Sequence, residues 1–312
     1  MVAELMLEKW SGQVATVVIG ATKEEGGTRA HSVRVGGQKS LPFLFAEGDI
    51  PNKPVIAFEI WDAQPLDWPE QLVKEYGDVL KDPFLWAQKC VKDFKARVLC
   101  VRLQATHPDF ANKDAPDEAK FISMLLKKVD VPLIILGCGD DVKDNQIFPA
   151  ASEAARGERC LIGNAVQDNY KTLTAAVLAD GHNIIAESPI DINIAKQLNI
   201  LISDMGLPLE RIVINPTIGA LGYGLEYAYS IMERARLAAL SGDKTVASPF
   251  ICFVGQEAWR AKEAKDTFEQ QGIVWEVITA AALIQAGGDI LVMRHPKAAE
   301  EVNKYIETLF KK

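Results

Sequence analysis

Short apolar runs alternate with amphipathic stretches along most of this chain, and the pattern is easiest to read between His182 and Leu240. Asn183-Ile184-Ile185-Ala186 is too short for a helix, and Glu187-Ser188-Pro189 breaks it. Asp191 then offers a carboxylate to the free N–H groups of a helix start. Ile194, Leu198, Leu201 and Met205 follow at helical spacing, so the segment buries one face. Gly206 and Pro208 stop it. Arg211 to Pro216 is the next apolar run, Gly219, Gly222 and Gly224 supply its turn, and a helix is predicted over Leu225–Leu240. Strand, turn and helix twice in succession mean parallel strands joined by helical crossovers.

From Pro54 the same unit can be counted eight times. The predicted strands are Val55–Trp61, Val98–Gln104, Val131–Cys138, Cys160–Ala165, Asn183–Glu187, Ile212–Asn215, Phe250–Gly255 and Ile290–Arg294. The predicted helices are Pro83–Phe94, Pro116–Val129, Asp144–Ala155, Asn169–Asp180, Asp191–Met205, Leu225–Leu240, Gly272–Gln285 and Pro296–Phe310. Eight such units predict a (β/α)8 TIM barrel over 54–312, in a fold whose usual size is roughly 250 residues. An open doubly wound sheet would place a G-x-G-x-x-G turn after its first strand, where this chain has Asp62, Pro65 and Trp68. Residues 1–53 are predicted to form an N-terminal segment packed on the barrel. In it, Val14–Ala21 and His31–Val35 form a β-hairpin that closes the barrel's N-terminal end or extends to a partner. Asp62–Lys81 and Gln256–Gln270 read as long loops, the second holding a short solvated helix over Arg260–Lys265.

Composition narrows the function classes. The 312 residues are 48% hydrophobic and 24% charged, with a net charge of -8. That balance argues against a nucleic-acid binder, which needs a basic stripe. No uncharged apolar segment approaches the roughly 20 residues that span a bilayer, and Glu4 and Glu8 spoil a signal peptide. Cys90, Cys100, Cys138, Cys160 and Cys252 include no C-x-x-C pair. A disulfide framework or a cluster held by this chain alone is therefore not expected. A cytoplasmic location fits these features.

Barrel chemistry sits where the strands end. The candidate rim is Asp62, Gln104, Cys138, Asp140, Asn164, Glu187, Asn215, Thr217 and Arg294. It is rich in carboxylates and carboxamides, which suit a ligand bearing amides or a neutral heterocycle. Arg294 is placed to pair with Glu187 or Asp62 across the mouth. Asp144 and Asp191 read as helix caps. Trp61, Trp68, Tyr223 and Trp259 form either an aromatic patch near the mouth or separate loop anchors. No strand carries a lysine, which counts against Schiff-base chemistry. His31, His107, His182 and His295 lack metal-ligand spacing, and neither a metal site nor a catalytic residue is expected. The Gly219–Gly224 turn ahead of a helix is a weak candidate for an anion.

Together, several stretches resemble one family, the small subunit of the corrinoid iron–sulfur protein of the anaerobic acetyl-CoA pathway of carbon fixation. They are Gly26-Gly27-Thr28-Arg29 with His31 and Val35-Gly36-Gly37, Asn52 to Ile56, Gly137-Cys138-Gly139-Asp140, Gly163-Asn164-Ala165, Asn169-Tyr170-Lys171, Ser188 to Asn193, Gly219 to Glu226, and Arg294-His295-Pro296. The resemblance implies a barrel and a heterodimer with a large subunit that carries a 4Fe-4S cluster and the cobamide (cobalamin). It implies that this mouth covers the cobamide, shared between the subunits, as a methyl group passes from a methyltetrahydrofolate methyltransferase to acetyl-CoA synthase. The role would be non-catalytic, with no nucleic-acid or membrane partner. The barrel is also similar to pterin-binding methyltransferases, with Asn164 and Asn215 at matching positions. An independent pterin-dependent methyltransferase is therefore the alternative. Gln104 departs from that pattern, because it stands where an acid is expected.

Overall fold

A computed structural model describes residues 6–265 and 269–311. Its first sheet is an antiparallel hairpin of β1 (Thr16–Ile19) and β2 (Val33–Gly36). The barrel begins at β3 (Val55–Trp61), followed by α1 (Glu70–Tyr76) and α2 (Pro83–Lys92). It continues through β4 (Leu99–Arg102), α3 (Ala115–Lys128), β5 (Leu133–Leu136) and α4 (Asp141–Ala154). Next come β6 (Leu161–Ala165), α5 (Tyr170–Asp180), β7 (Asn183–Glu187), α6 (Ile192–Asp204) and β8 (Ile212–Asn215). The last elements are α7 (Leu225–Leu240), β9 (Phe250–Cys252), α8 (Val254–Ala258), α9 (Glu269–Gln285), β10 (Gly288–Met293) and α10 (Pro296–Leu309). Strands β3 to β10 pair in parallel, in chain order, and β10 closes on β3. The predicted (β/α)8 TIM barrel is therefore the fold.

Alternation along the strands sorts the side chains. Ile56, Phe58 and Ile60 of β3 belong to the cluster between barrel and helices. Ala57, Cys100, Ile185, Val213 and Val292 pack in the barrel interior instead. Val17, Ile19, Val33 and Val35 of the hairpin join that interior cluster, so the hairpin plugs the N-terminal end. Polar ties hold the plug. Asn183 donates to the Val18 carbonyl at 2.8 Å, and buried Gln38 donates to Asp289 at 2.5 Å. Arg29 is paired with Glu158 at 2.8 Å and donates to the carbonyls of Leu126 and Val129.

Two predicted loops are more ordered than their composition suggests. Asp62–Lys81 contains α1 and a 3-10 turn over Gly77–Lys81, because Leu72, Tyr76 and Leu80 bury against the barrel wall. The predicted solvated helix over Arg260–Lys265 is a 3-10 turn at Glu263–Lys265. Ala261 and Ala264 are buried there, so the segment leans on the core. Residues 266–268 of that loop lie outside the described residues. Among the described residues, no helix is long and apolar enough to cross a membrane.

Candidate functional site at the barrel mouth

One step beyond the apolar interior layer, the inward positions become polar. Glu59 follows Ala57, Arg102 follows Cys100, Glu187 follows Ile185, Asn215 follows Val213 and Arg294 follows Val292. Strand periodicity of two thus delivers five polar side chains to one level of the barrel. Above them opens a cavity of about 610 Å³ at the C-terminal end. Of the nine predicted rim residues, Gln104, Cys138, Asn164, Glu187, Asn215, Thr217 and Arg294 line it. Asp62 and Asp140 do not.

Those two aspartates fix loops. Asp140 caps α4 by accepting from the Lys143 N–H at 2.8 Å. Asp62 is buried and accepts from the Ala105 N–H at 2.8 Å, which sets the turn carrying Gln104. Lys113 stands 3.9 Å from Asp62 and 3.6 Å from Glu118. Burial pushes the Asp62 carboxyl up, and burial plus the charge of Asp62 pushes Glu118 up to about 8. Asp191 is the cap its position predicts, accepting from Asn193 and Ile194. Asp144 differs from its predicted role as a cap. Its carboxylate reaches back to the N–H groups of Cys138 and Gly139, at 2.8 and 3.1 Å. A Cβ on Gly137 would lie 2.2 Å from that carboxylate, so glycine makes room for the clasp.

One wall of the mouth is a clamped carboxyl. Glu187 Oε2 accepts from Asn164 Nδ2 at 2.5 Å and from Asn215 Nδ2 at 2.9 Å. Asn215 Oδ1 in turn accepts from the Thr217 N–H at 3.0 Å, which fixes the amide's orientation. Burial pushes the Glu187 carboxyl up, against the hydrogen bond from Asn215. Cys138 at the edge is buried, and its thiol is pushed up to about 11, chiefly by burial. It is a poor nucleophile near neutral pH.

The opposite wall is an ionic cluster, and here the structure corrects the predicted pairing. Arg294 pairs with Glu59, with neither Glu187 nor Asp62: Nε lies 2.7 Å from Oε2 and Nη2 3.2 Å from Oε1. Arg102 Nε reaches Oε1 of the same carboxylate at 3.1 Å, and its Nη2 donates to Gln256 at 2.6 Å. Trp61 adds an indole N–H at 2.8 Å. Burial alone would raise the Glu59 carboxyl. The charges of Arg294 and Arg102 overcome it and hold the group at about 2. Sequence reading missed Glu59 because it sits inside an apolar strand. The available signal was its inward parity with Ala57 and Trp61.

A second buried carboxylate holds the end of β10. Glu276 of α9 accepts from the N–H groups of Arg294 and His295 and from the Trp259 indole, the last at 2.7 Å. Burial pushes it up to about 7. His295 stacks on Trp259 at 5.8 Å and is pushed down to about 4 by burial and Lys297.

The four aromatics divide, with Trp61 lining the cavity and Trp68 packed behind it. Trp61, Trp68 and Trp259 are buried, and only Tyr223 is exposed. Trp68 packs edge-on against Trp61 and Trp86 at 5.8 and 5.2 Å. The Arg294 guanidinium lies 4.9 Å from the Trp68 ring and 5.7 Å from that of Trp61.

Comparison with known proteins decides the family. A family model described as the CO dehydrogenase/acetyl-CoA synthase delta subunit matches residues 16–306. The chain belongs to that family. It is 35% identical to the acetyl-CoA decarbonylase/synthase complex subunit delta 1 of Methanosarcina thermophila, over 97% of this chain and 72% of the relative. The delta subunits of Archaeoglobus fulgidus and Methanothermobacter thermautotrophicus are each 36% identical over 97% of this chain, and 70% and 77% of their own lengths are covered. Membership of the delta-subunit family agrees with the small-subunit resemblance in the sequence. Among solved structures, the dihydropteroate synthase of Xanthomonas albilineans with 4-aminobenzoic acid superposes with a TM-score of 0.58. It does so at 12% identity, over 84% of this chain and 95% of that one. The synthase of Stenotrophomonas maltophilia gives 0.57 at 14% identity, over 86% and 98%. These two share the delta-subunit fold alone.

Proposed function

We propose that this chain is the small subunit of a two-subunit corrinoid methyl carrier, and that its barrel mouth covers a cobamide held by the larger subunit. The methyl group passes from a methyltetrahydrofolate methyltransferase to acetyl-CoA synthase. The carrying observation is a mouth lined by fixed amides and a clamped carboxyl, beside a Cys138 thiol that burial pushes up to about 11. Bound cobamide supplies a nucleophilic cobalt and a ring edged with primary amides. Amides donate and accept together; Asn164 and Asn215 flank Glu187, and Gln104 lines the same cavity. These residues would hold the ring's edge, and the mouth would keep water and oxidants from the cobalt face.

The cysteine set supports placing the 4Fe-4S cluster on the large subunit. All five cysteines are buried. Burial raises each thiol, to about 11 for Cys138 and about 12 for Cys160, and no two of the five stand at C-x-x-C spacing. Among the described residues, no three His, Cys, Asp or Glu side chains group as a metal site.

The test compares the absorption spectrum of the cobamide-loaded large subunit with and without this chain. Covering the ring predicts a shifted spectrum and slower oxidation of the reduced cobalt. An unchanged spectrum ends the proposal. The clamped Glu187 carboxyl also favours a second reading, pterin binding by the isolated chain. Calorimetry with methyltetrahydrofolate separates the two, since tight binding without the partner supports the second.

A further inference from the structure

We propose that Arg102 and Arg294 form an oxyanion subsite in the mouth, built to take a phosphate or carboxylate group. Both guanidiniums line the cavity. Both lean on a single carboxylate, Glu59, whose two oxygens leave N–H donors of both guanidiniums unspent. Arg294 is 5% exposed. Its Nε and Nη2 are committed to Glu59 and its face to Trp68. Arg102 commits Nε to Glu59 and Nη2 to Gln256, a neutral acceptor. Among the described residues no acceptor serves Nη1 of either arginine, and neither Nη1 is sealed inside the protein.

Among the described residues, no other acid lining the cavity forms a hydrogen bond or ion pair with either arginine. Glu257 is taken by Arg260 at 2.8 Å and by Gln256 at 2.9 Å. Glu187 bonds its two asparagines; burial pushes its carboxyl up, against the Asn215 hydrogen bond and the charge of Arg102. Asp109 lies on the outer lining, 3.9 Å from His107, and Asp67 lines the cavity without an arginine. Unspent guanidinium N–H groups in a partly buried site attract an anion more strongly than they would in water. Two guanidinium edges present the planar N–H donors that oxyanions accept in pairs. Stacking on tryptophan and bonding to Glu59 pre-set the donor positions, which lowers the ordering cost of binding.

Two sources share this chemistry. One is the phosphodiester in the nucleotide tail of a cobamide, which rests on the cover role proposed above. The other is a free small-molecule phosphate or carboxylate, which does not. The experiment titrates the full chain with inorganic phosphate by calorimetry, at an ionic strength held constant with sodium chloride. In parallel, crystals are soaked in tungstate and the anomalous signal is mapped. Saturable phosphate binding and a tungstate peak within hydrogen-bonding distance of both guanidiniums are expected. Arg102→Lys keeps a charge beside Glu59 but removes the fork, and should weaken phosphate roughly tenfold or more. The tungstate map of the unaltered chain needs no variant to fold. If adding the cobamide-loaded large subunit expels the phosphate, the cobamide tail is the source. If both are retained, a free anion is. Phosphate binding no better than chloride, with an empty tungstate map, overturns the subsite. That outcome leaves the cobalt-cover reading standing, because the cobamide spectrum tests it separately.

Discussion

Arg294 and Glu59, separated by 235 residues in the chain, meet at 2.7 Å inside the barrel mouth. Their ion pair joins β3 to the end of β10, where the barrel closes. Removing one member of a buried pair leaves the other charge uncompensated, at a cost of roughly 3–5 kcal/mol. Glu59→Gln is therefore expected to lower the unfolding free energy by about that much in urea titrations. The acid dependence should change with it. The native carboxyl sits at about 2 against 4.5 in its ordinary state. Its contribution is thus fully present above pH 4.5 and lost as pH falls through about 2. The variant should lose the corresponding slope of stability with pH in that window, and an unaltered slope would refute the pairing.

Glu276 predicts the opposite sign. Burial raises its carboxyl from 4.5 to about 7, so its contribution is fully present below pH 4.5 and lost as pH rises through about 7. Glu276→Gln should flatten stability across that interval. It should also cost about 1–3 kcal/mol. An amide turns N–H donors toward a site that presents only donors, from Trp259, Arg294 and His295. Thermal unfolding at a series of pH values measures both effects.

Gly137→Ala tests the Asp144 clasp. The added methyl would lie 2.2 Å from the Asp144 carboxylate and would push it off the N–H groups of Cys138 and Gly139. Overpacking of this kind costs about 1–3 kcal/mol. The melting temperature should fall, and amide exchange at Cys138 and Gly139 should accelerate. Slow exchange at both amides in the variant would contradict the assignment.

Alanine at the aromatic positions should separate packing from recognition. Trp68→Ala and Trp259→Ala remove buried rings, and each is expected to cost about 3–5 kcal/mol of stability. Tyr223→Ala leaves the core intact. Its hydroxyl donates to Glu263 at 2.9 Å on the surface, so the melting temperature should hardly move. Denaturation curves for the three variants decide the matter, and equal losses in all three would refute the division.

The sequence by itself determined the elements and their order. β3, β7, β8 and α7 begin and end at the residues that hydrophobic periodicity selects, because burial against a common core rewards local repeats of two and 3.6. It also named most of the polar residues at the mouth, since strand ends are where a barrel leaves inward positions open. Parity within β3 was legible too, but the role of Glu59 was not. A glutamate inside an apolar strand gains its meaning only from Arg102, 43 residues on, and Arg294, 235 residues on. Tertiary structure alone decided that pairing, the turning away of Asp62 and Asp140, and the burial of three tryptophans. Electrostatic partners depend on distance in space, and closing the ring sets that distance without leaving a local pattern in the chain.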